Sequence, residues 1–289
     1  MTAIHRVARF SLTTGAADRL ADFYERALGF RQIGLELRVG AAFETLMGVA
    51  GGARGLVLEL GEQEVELLEF DTRGRPYPPH AASSDVTFQH LAIVVADMRA
   101  AYEGLLAVAG WSAISEGGPQ RLPDASGGVT AFKFRDPDGH PLELLAFPEG
   151  KSPPPWRDIS GPGPCLGIDH SAINVADAAR STAFYEKLGF TVSARSHNRG
   201  PEQARLDGLP APDVEVTALS PTEATPHIEL LCYRSSARAE SVRLRNNDIA
   251  ASRLVLEAAG LPRGGVGAAR RGVFDPDGHH LLIDELADP

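Results

Sequence analysis

The sequence predicts an α+β fold made of four copies of one unit, each a strand, a helix and then several strands. Three recurrences predict it. The segment HLAIVVAD at 90–97 returns as HSAINVAD at 170–177. FYERALGF at 23–30 returns, one residue shorter, as FYEKLGF at 184–190. FRDPDGHPLELL at 134–145 returns as FDPDGHHLLI at 274–283.

Each piece of the unit has a local cause. Residues 90–96 alternate, with His90, Ala92 and Val94 on one face and Leu91, Ile93 and Val95 on the other, which is the period of a strand. Asp97 and Asp177 then stand where a helix N-cap is needed, before MRAAYEGLLAVAG and AARSTAFYEKLG, each of which stops at a glycine. Phe23 with Leu28, and Phe184 with Leu188, form apolar core faces of the helices. The D-P-D-G quartets favour tight turns, and the apolar segments after them read as strands, as do VELLEF at 65–70 and IELLCY at 228–233. The four units cover roughly 5–72, 85–147, 166–234 and 238–287. Six prolines and four glycines between 147 and 167 mark a linker. The expected organisation is an N-terminal half at 1–147, a linker at 148–165 and a C-terminal half at 166–289.

Composition narrows the function. The 289 residues suit about two ordinary domains, 43% of them hydrophobic and 23% charged. With 28 Lys and Arg against 38 Asp and Glu, the net charge is −10, which argues against nucleic acid or an anionic membrane as partner. No apolar run reaches the length of a membrane span, and the segment MTAIHRVARF lacks the apolar core of a signal peptide. Cys165 and Cys232 cannot make a disulfide framework or a cysteine-based zinc site, and Cys232 reads as a structural thiol. A cytoplasmic protein, monomer or homodimer, acting on a small molecule is expected.

The motifs H-x-A-I-x-V-A-D, F-Y-E-x-L-G-F and D-P-D-G-H-x-L-E, in order and repeated over almost the whole chain, resemble the vicinal oxygen chelate superfamily. That superfamily includes glyoxalase I, extradiol dioxygenases and bleomycin-resistance proteins. The resemblance implies four βαβββ modules that form two curved mixed sheets, with metal ligands at the start of the first strand and the middle of the last strand of each module. Those positions are His90 and Glu143 in the second module and His170 and Glu229 in the third. In the first they are Arg9 and Glu66, and in the fourth they are read as Ser241 and Leu282. Pairing neighbouring modules gives two incomplete ligand sets. Pairing the second with the third gives two imidazoles and two carboxylates, suited to one divalent ion (Zn, Ni, Fe or Mn), and leaves a remainder that cannot chelate. Both pairings are open to the sequence.

The resemblance implies a metal-dependent, glyoxalase-like lyase or isomerase acting on a substrate chelated through adjacent oxygens, with Glu143 as the base. Two His and one carboxylate would also serve an extradiol dioxygenase, and a metal-free binding protein is the third reading. Arg9 with Glu66 reads as a buried ion pair first and an anion site second. His140, His279 and His280, which follow the turns, read as exposed or structural. The arginines of ARSHNRGPEQAR at 194–205 read as a solvated loop that could meet a substrate carboxylate.

Overall fold

A computed structural model describes residues 3–223, 225–234, 244–260 and 268–286. The first module runs β1 (Ile4–Thr13), α1 (Ala17–Leu28), β2 (Arg31–Arg38), a short α2 (Ala41–Met47), β3 (Ala53–Leu60) and β4 (Gln63–Phe70). The second contains β5 (Gln89–Val95), α3 (Met98–Leu106), the short β6 (Ser112–Ala113) and β7 (Gln120–Arg121), β8 (Thr130–Arg135) and β9 (Pro141–Ala146). The third contains β10 (Cys165–Asn174), α4 (Ala178–Lys187), β11 (Thr191–Arg199), α5 (Pro201–Asp207), β12 (Asp213–Ser220) and β13 (His227–Tyr233). Of the fourth, β14 (Ser252–Ala258), β15 (Ala268–Phe274) and β16 (His280–Leu286) are described.

The expected caps are in place. Asp97 accepts from the backbone N–H groups of Arg99 and Ala100 at 2.9 and 3.1 Å, and Asp177 accepts from that of Arg180 at 3.0 Å. In the first D-P-D-G turn, Asp136 Oδ1 accepts from the backbone of Asp138, Gly139 and His140, and Gly139 takes φ 100°. Asp275 repeats the arrangement with Asp277 and His279. The F-Y-E motif has a partner there. Tyr24 donates to Asp136 at 3.2 Å and Tyr185 to Asp275 at 3.3 Å, each tying a helix of one module to the turn of the next. Both tyrosines are fully buried, so losing this partner would strand a phenol in the core.

The strands form two mixed sheets. One has seven strands in the order β15-β16-β14-β1-β4-β3-β2, and the other follows β11-β12-β13-β10-β5-β9-β8-β6, with β7 beside β8. The first and fourth modules therefore share one sheet, and the second and third share the other. Within each sheet the first strands of the two modules meet antiparallel, β1 on β14 and β10 on β5, and each also pairs parallel with the last strand of its own module. One apolar core, with Phe10, Leu58, Ile93, Phe132, Ile173 and Leu256 among its members, fills the space between the helices and both sheets. The opposite, concave faces are left for clefts.

Candidate metal and substrate site

The registers bring four predicted residues to one cleft. On the β5/β10 pair, His90 stands opposite Ala172 and His170 opposite Ala92, so the two histidines lie diagonally on one face. In the flanking parallel pairs, Glu143 stands beside Ala92 and Glu229 beside Ala172. The alanines leave the space between the four longer side chains open. His90 Nε2 is 3.0 Å from Glu143 Oε2, His170 Nε2 is 3.5 Å from Glu229 Oε2, and the two imidazole centroids are 6.0 Å apart. All four line a cleft of about 390 Å³ whose apolar members include Leu122, Leu145, Phe147, Val214 and Leu231.

The two histidines differ in support. His90 is 2% exposed, and neither ring nitrogen has an aligned hydrogen-bond partner among the described residues. Burial, joined by the nearby Lys133, pushes its pKa down against the pull of Glu143. A buried imidazole whose one close neighbour, Glu143, is poorly aligned for a hydrogen bond is a costly arrangement that a bound cation would relieve. His170 is oriented instead: its Nδ1 lies 2.9 Å from Asp169 Oδ2, and Asp169 accepts through its other oxygen from the Trp156 indole. Burial works to lower the His170 pKa, but Glu229, Asp169 and Glu143 overcome it and raise it to about 9. Against the same burial penalty, His170 and His227 lower Glu229 to about 2, and His90 and Lys133 lower Glu143.

Sequence reasoning missed three members of this site. A bulge between Ile168 and His170 breaks the alternation of β10, so Asp169 and His170 reach the same side. His227, beside His170 on β13, lies 3.7 Å from Asp169 and 3.8 Å from Glu229. Asp169, His170 and His227 also group closely enough to hold a metal ion. The third is Lys133, opposite Glu143 on β8, with Nζ 3.9 Å from Glu143 and 2.7 Å from Asp207. Asp207 Oδ2 in turn accepts from Gln203 and Tyr233 at 2.8 and 3.0 Å. The adjacent D-H in GIDHSAIN and the His of HIELL were visible in the sequence. Nothing there announced Lys133.

The corresponding cleft on the seven-stranded sheet holds about 730 Å³ and a different chemistry. Ser241 lies outside the described residues; in register opposite Ser11 stands Arg253, as His90 stands opposite Ala172. The spacing from Asp248 to Arg253 repeats that from Asp85 to His90 and could have found it. Glu66 and Leu282 hold the last-strand positions. The expected Arg9–Glu66 pair is long, at 3.9 Å, because each has a nearer partner: Arg9 takes Glu64 at 2.6 Å and Arg38 takes Glu66 at 2.9 Å. Arg6–Glu257 and Arg270–Asp284 are paired too. Two guanidiniums and a leucine stand at the positions that hold two imidazoles and a glutamate on the other sheet, which leaves Glu66 as the one ligand-type residue of the four matched positions.

Other expectations need adjustment. Residues 194–205 are not a loop: Arg195 lies on β11 and Arg205 on α5, donating to Thr217 and Gln120 respectively. Arg195 still reaches the first cleft. His140 is structural, bound to Asp136 at 2.7 Å and to the Thr13 carbonyl at 2.9 Å. His279 meets the Asn174 carbonyl, and His280 stacks on Phe274. Cys232 is partly buried, with Sγ 3.9 Å from the Ala176 carbonyl, and burial pushes the Cys165 thiol to about 12. Among the described residues no helix is long and apolar enough to cross a membrane.

A family profile described as Glyoxalase/Bleomycin resistance protein/Dioxygenase superfamily matches residues 4–144 and 167–283. Among solved structures, glyoxalase I from Zea mays is similar at 16% identity and TM-score 0.60, over 97% of this chain and 92% of that one. A Bacillus subtilis protein provisionally assigned as a dioxygenase is similar at 11% identity and TM-score 0.58, over 98% and 86%. At these identities the likeness concerns the fold. No curated protein matches the chain.

Proposed function

Because the chain belongs to the glyoxalase/bleomycin resistance protein/dioxygenase superfamily, we propose that its nine-stranded sheet carries a metal-dependent lyase or isomerase site for a small substrate chelated through adjacent oxygens. The observation that carries this reading is the meeting of His90, Glu143, His170 and Glu229 in one cleft. Two imidazoles, His170 giving up its proton when a cation binds, and two carboxylates suit one divalent ion of the zinc, nickel, iron or manganese kind. The His90 ring, close to Glu143 but without an aligned hydrogen bond, fits such an ion. When bound, the metal would supply Lewis-acid polarisation of the substrate's oxygens.

The protein groups do the rest. Glu143, lowered in pKa and therefore ionised, takes a proton from the carbon next to the polarised oxygens and returns it to the neighbouring carbon. Asp169 fixes the ring of His170, so that its Nε2 faces Glu229 and the cleft. The small-molecule role, a monomeric or homodimeric state and a cytoplasmic setting complete the reading.

The test combines metal analysis with isotope exchange. Protein purified without added ions is expected to hold one divalent metal. It should then exchange substrate C–H for deuterium from D2O, without oxygen consumption, on some member of a panel of hemithioacetals and 2-hydroxy carbonyl compounds. Glu143→Gln should abolish exchange while retaining metal. Iron with oxygen uptake on catechols would move the assignment to a ring-cleaving dioxygenase, for which His90, His170 and one glutamate would suffice. Absence of any metal would favour a binding protein.

A further inference from the structure

We propose that Lys133 binds a substrate carboxylate oxygen beside the metal ligands, so that the adjacent oxygens taken by this site belong to a 2-oxo or 2-hydroxy acid. The proposal rests on the metal-dependent reading above and names the substrate class for the same cleft.

Lys133 is 3% exposed, yet it lines the cleft. A buried ammonium has three donors to satisfy. Among the described residues one acceptor, Asp207 Oδ1 at 2.7 Å, lies within hydrogen-bond distance, and Glu143 at 3.9 Å does not. Asp207 is itself held by Gln203 and Tyr233, so it anchors the ammonium on the α5 side and leaves the remaining N–H groups unspent near Glu143. Gln203, 4% exposed, has an unpartnered carbonyl oxygen on the same wall, an acceptor that suits a substrate hydroxyl and not its carboxylate. The unspent donors of Lys133 point to a ligand oxygen, since burying them without one is expensive.

The repeat supplies an internal control. The residue facing the last-strand ligand position is Lys133 in the second module, Val57 in the first, Ala218 in the third and Gly272 in the fourth. The fold therefore does not require a cation there. Metal binding does not explain it either, because an ammonium beside Glu143 repels a divalent ion held by the same carboxylate. An anionic oxygen does. In a 2-oxo acid the keto oxygen and one carboxylate oxygen form the chelating pair, and the second carboxylate oxygen is left for a charge-assisted hydrogen bond from Lys133.

The probes are oxalate, which has the chelating pair and further charged oxygens, and acetohydroxamate, which chelates through two adjacent oxygens and carries no carboxylate. Both are titrated calorimetrically into nickel-loaded wild type and nickel-loaded Lys133→Met. Oxalate is expected to bind about tenfold or more weakly to the variant, with acetohydroxamate changed less than about twofold. Nickel itself should bind the variant at least as tightly as wild type. If Lys133→Met does not fold, Lys133→Gln, which keeps a donor without the charge, should show the same selective loss. Equal loss of both probes, or loss of neither, overturns the assignment of Lys133 alone. A wild type that takes up no nickel overturns the metal reading and this assignment with it.

Discussion

The imidazoles of His90 and His170, eighty residues apart in the chain, face each other with centroids 6.0 Å apart because their strands are antiparallel neighbours. Opposite ligand atoms on one small ion stand about 4 Å apart, so the two rings suit a shared cation. Either His90→Ala or His170→Ala is therefore expected to remove the whole metal equivalent, not half of it. Elemental analysis after dialysis checks this, and retention of metal in either variant would contradict a shared site.

Total metal is expected not to exceed one equivalent per chain. The seven-stranded sheet has Arg9, Arg253 and Leu282 at the positions of His170, His90 and Glu143, and Glu36, Glu64, Glu66, Glu257 and Asp284 of its cleft are bound to arginines. Titration with excess zinc followed by dialysis should leave a single tight equivalent. Two equivalents lost independently, one through His90→Ala and one through Glu66→Gln, would be inconsistent with that chemistry.

Asp169→Asn should lower metal affinity by about tenfold to a hundredfold with little change in melting temperature. The carboxylate holds the His170 ring through Nδ1 and is itself held by Trp156 from the segment between β9 and β10. An amide can present its N–H to the imidazole and disturb the tautomer. Competition with a chromophoric chelator reads the change, and unaltered affinity would remove the orienting role.

His280 should make stability fall in acid. Burial, followed by the neighbouring Arg253, lowers its pKa to about 4, whereas an unfolded chain titrates near 6.5. The unfolded state thus gains the proton first as pH drops. The penalty is absent above about pH 7, grows between about 6.5 and 4, and levels off below, reaching about 3 kcal/mol at most. Urea unfolding of wild type and His280→Gln at several pH values isolates it. Parallel curves for the two proteins would refute it.

The edge strand β2 exposes Ile33, Leu35 and Leu37, and Val39 follows just beyond it, where the matching strand β11 has Ser193, Arg195, His197 and Arg199. A bare apolar edge invites association. Replacing Leu35 by Arg and Leu37 by His should change unfolding free energy by no more than about 0.5 kcal/mol. Light scattering should then show association only at higher protein concentration than for wild type. A large loss of stability would mean that these leucines pack inside the fold.

Much of this was legible because the chain repeats itself. His90 and His170 stand in near-identical strands, and Asp97, Asp177 and the D-P-D-G turns announce their local structure without help from distant contacts. Asp169 was hidden because simple alternation assigns it to the face opposite His170, and only the bulge reverses that. Arg253 was hidden by counting from the wrong landmark, since the fourth module has drifted furthest from the others. Lys133 belongs to no motif, and its meaning comes from Glu143 on one side and Asp207 on the other. The module pairing depends on which strands meet across long separations, which local pattern does not encode.

Because β1 is joined to β14, residues 4–12 must wait for 252–258 before the middle of their sheet can close. At ordinary translation rates of about 5–20 residues per second, that delay is roughly 12–50 seconds. Every strand of the other sheet lies between Gln89 and Tyr233, so all of its pieces leave the ribosome earlier. The chain is thus a nested enclosure, with the inner pair of modules complete while the outer pair still lacks a partner. During synthesis the cleft that holds His90 and His170 can form first, and the arginine-lined cleft is sealed last.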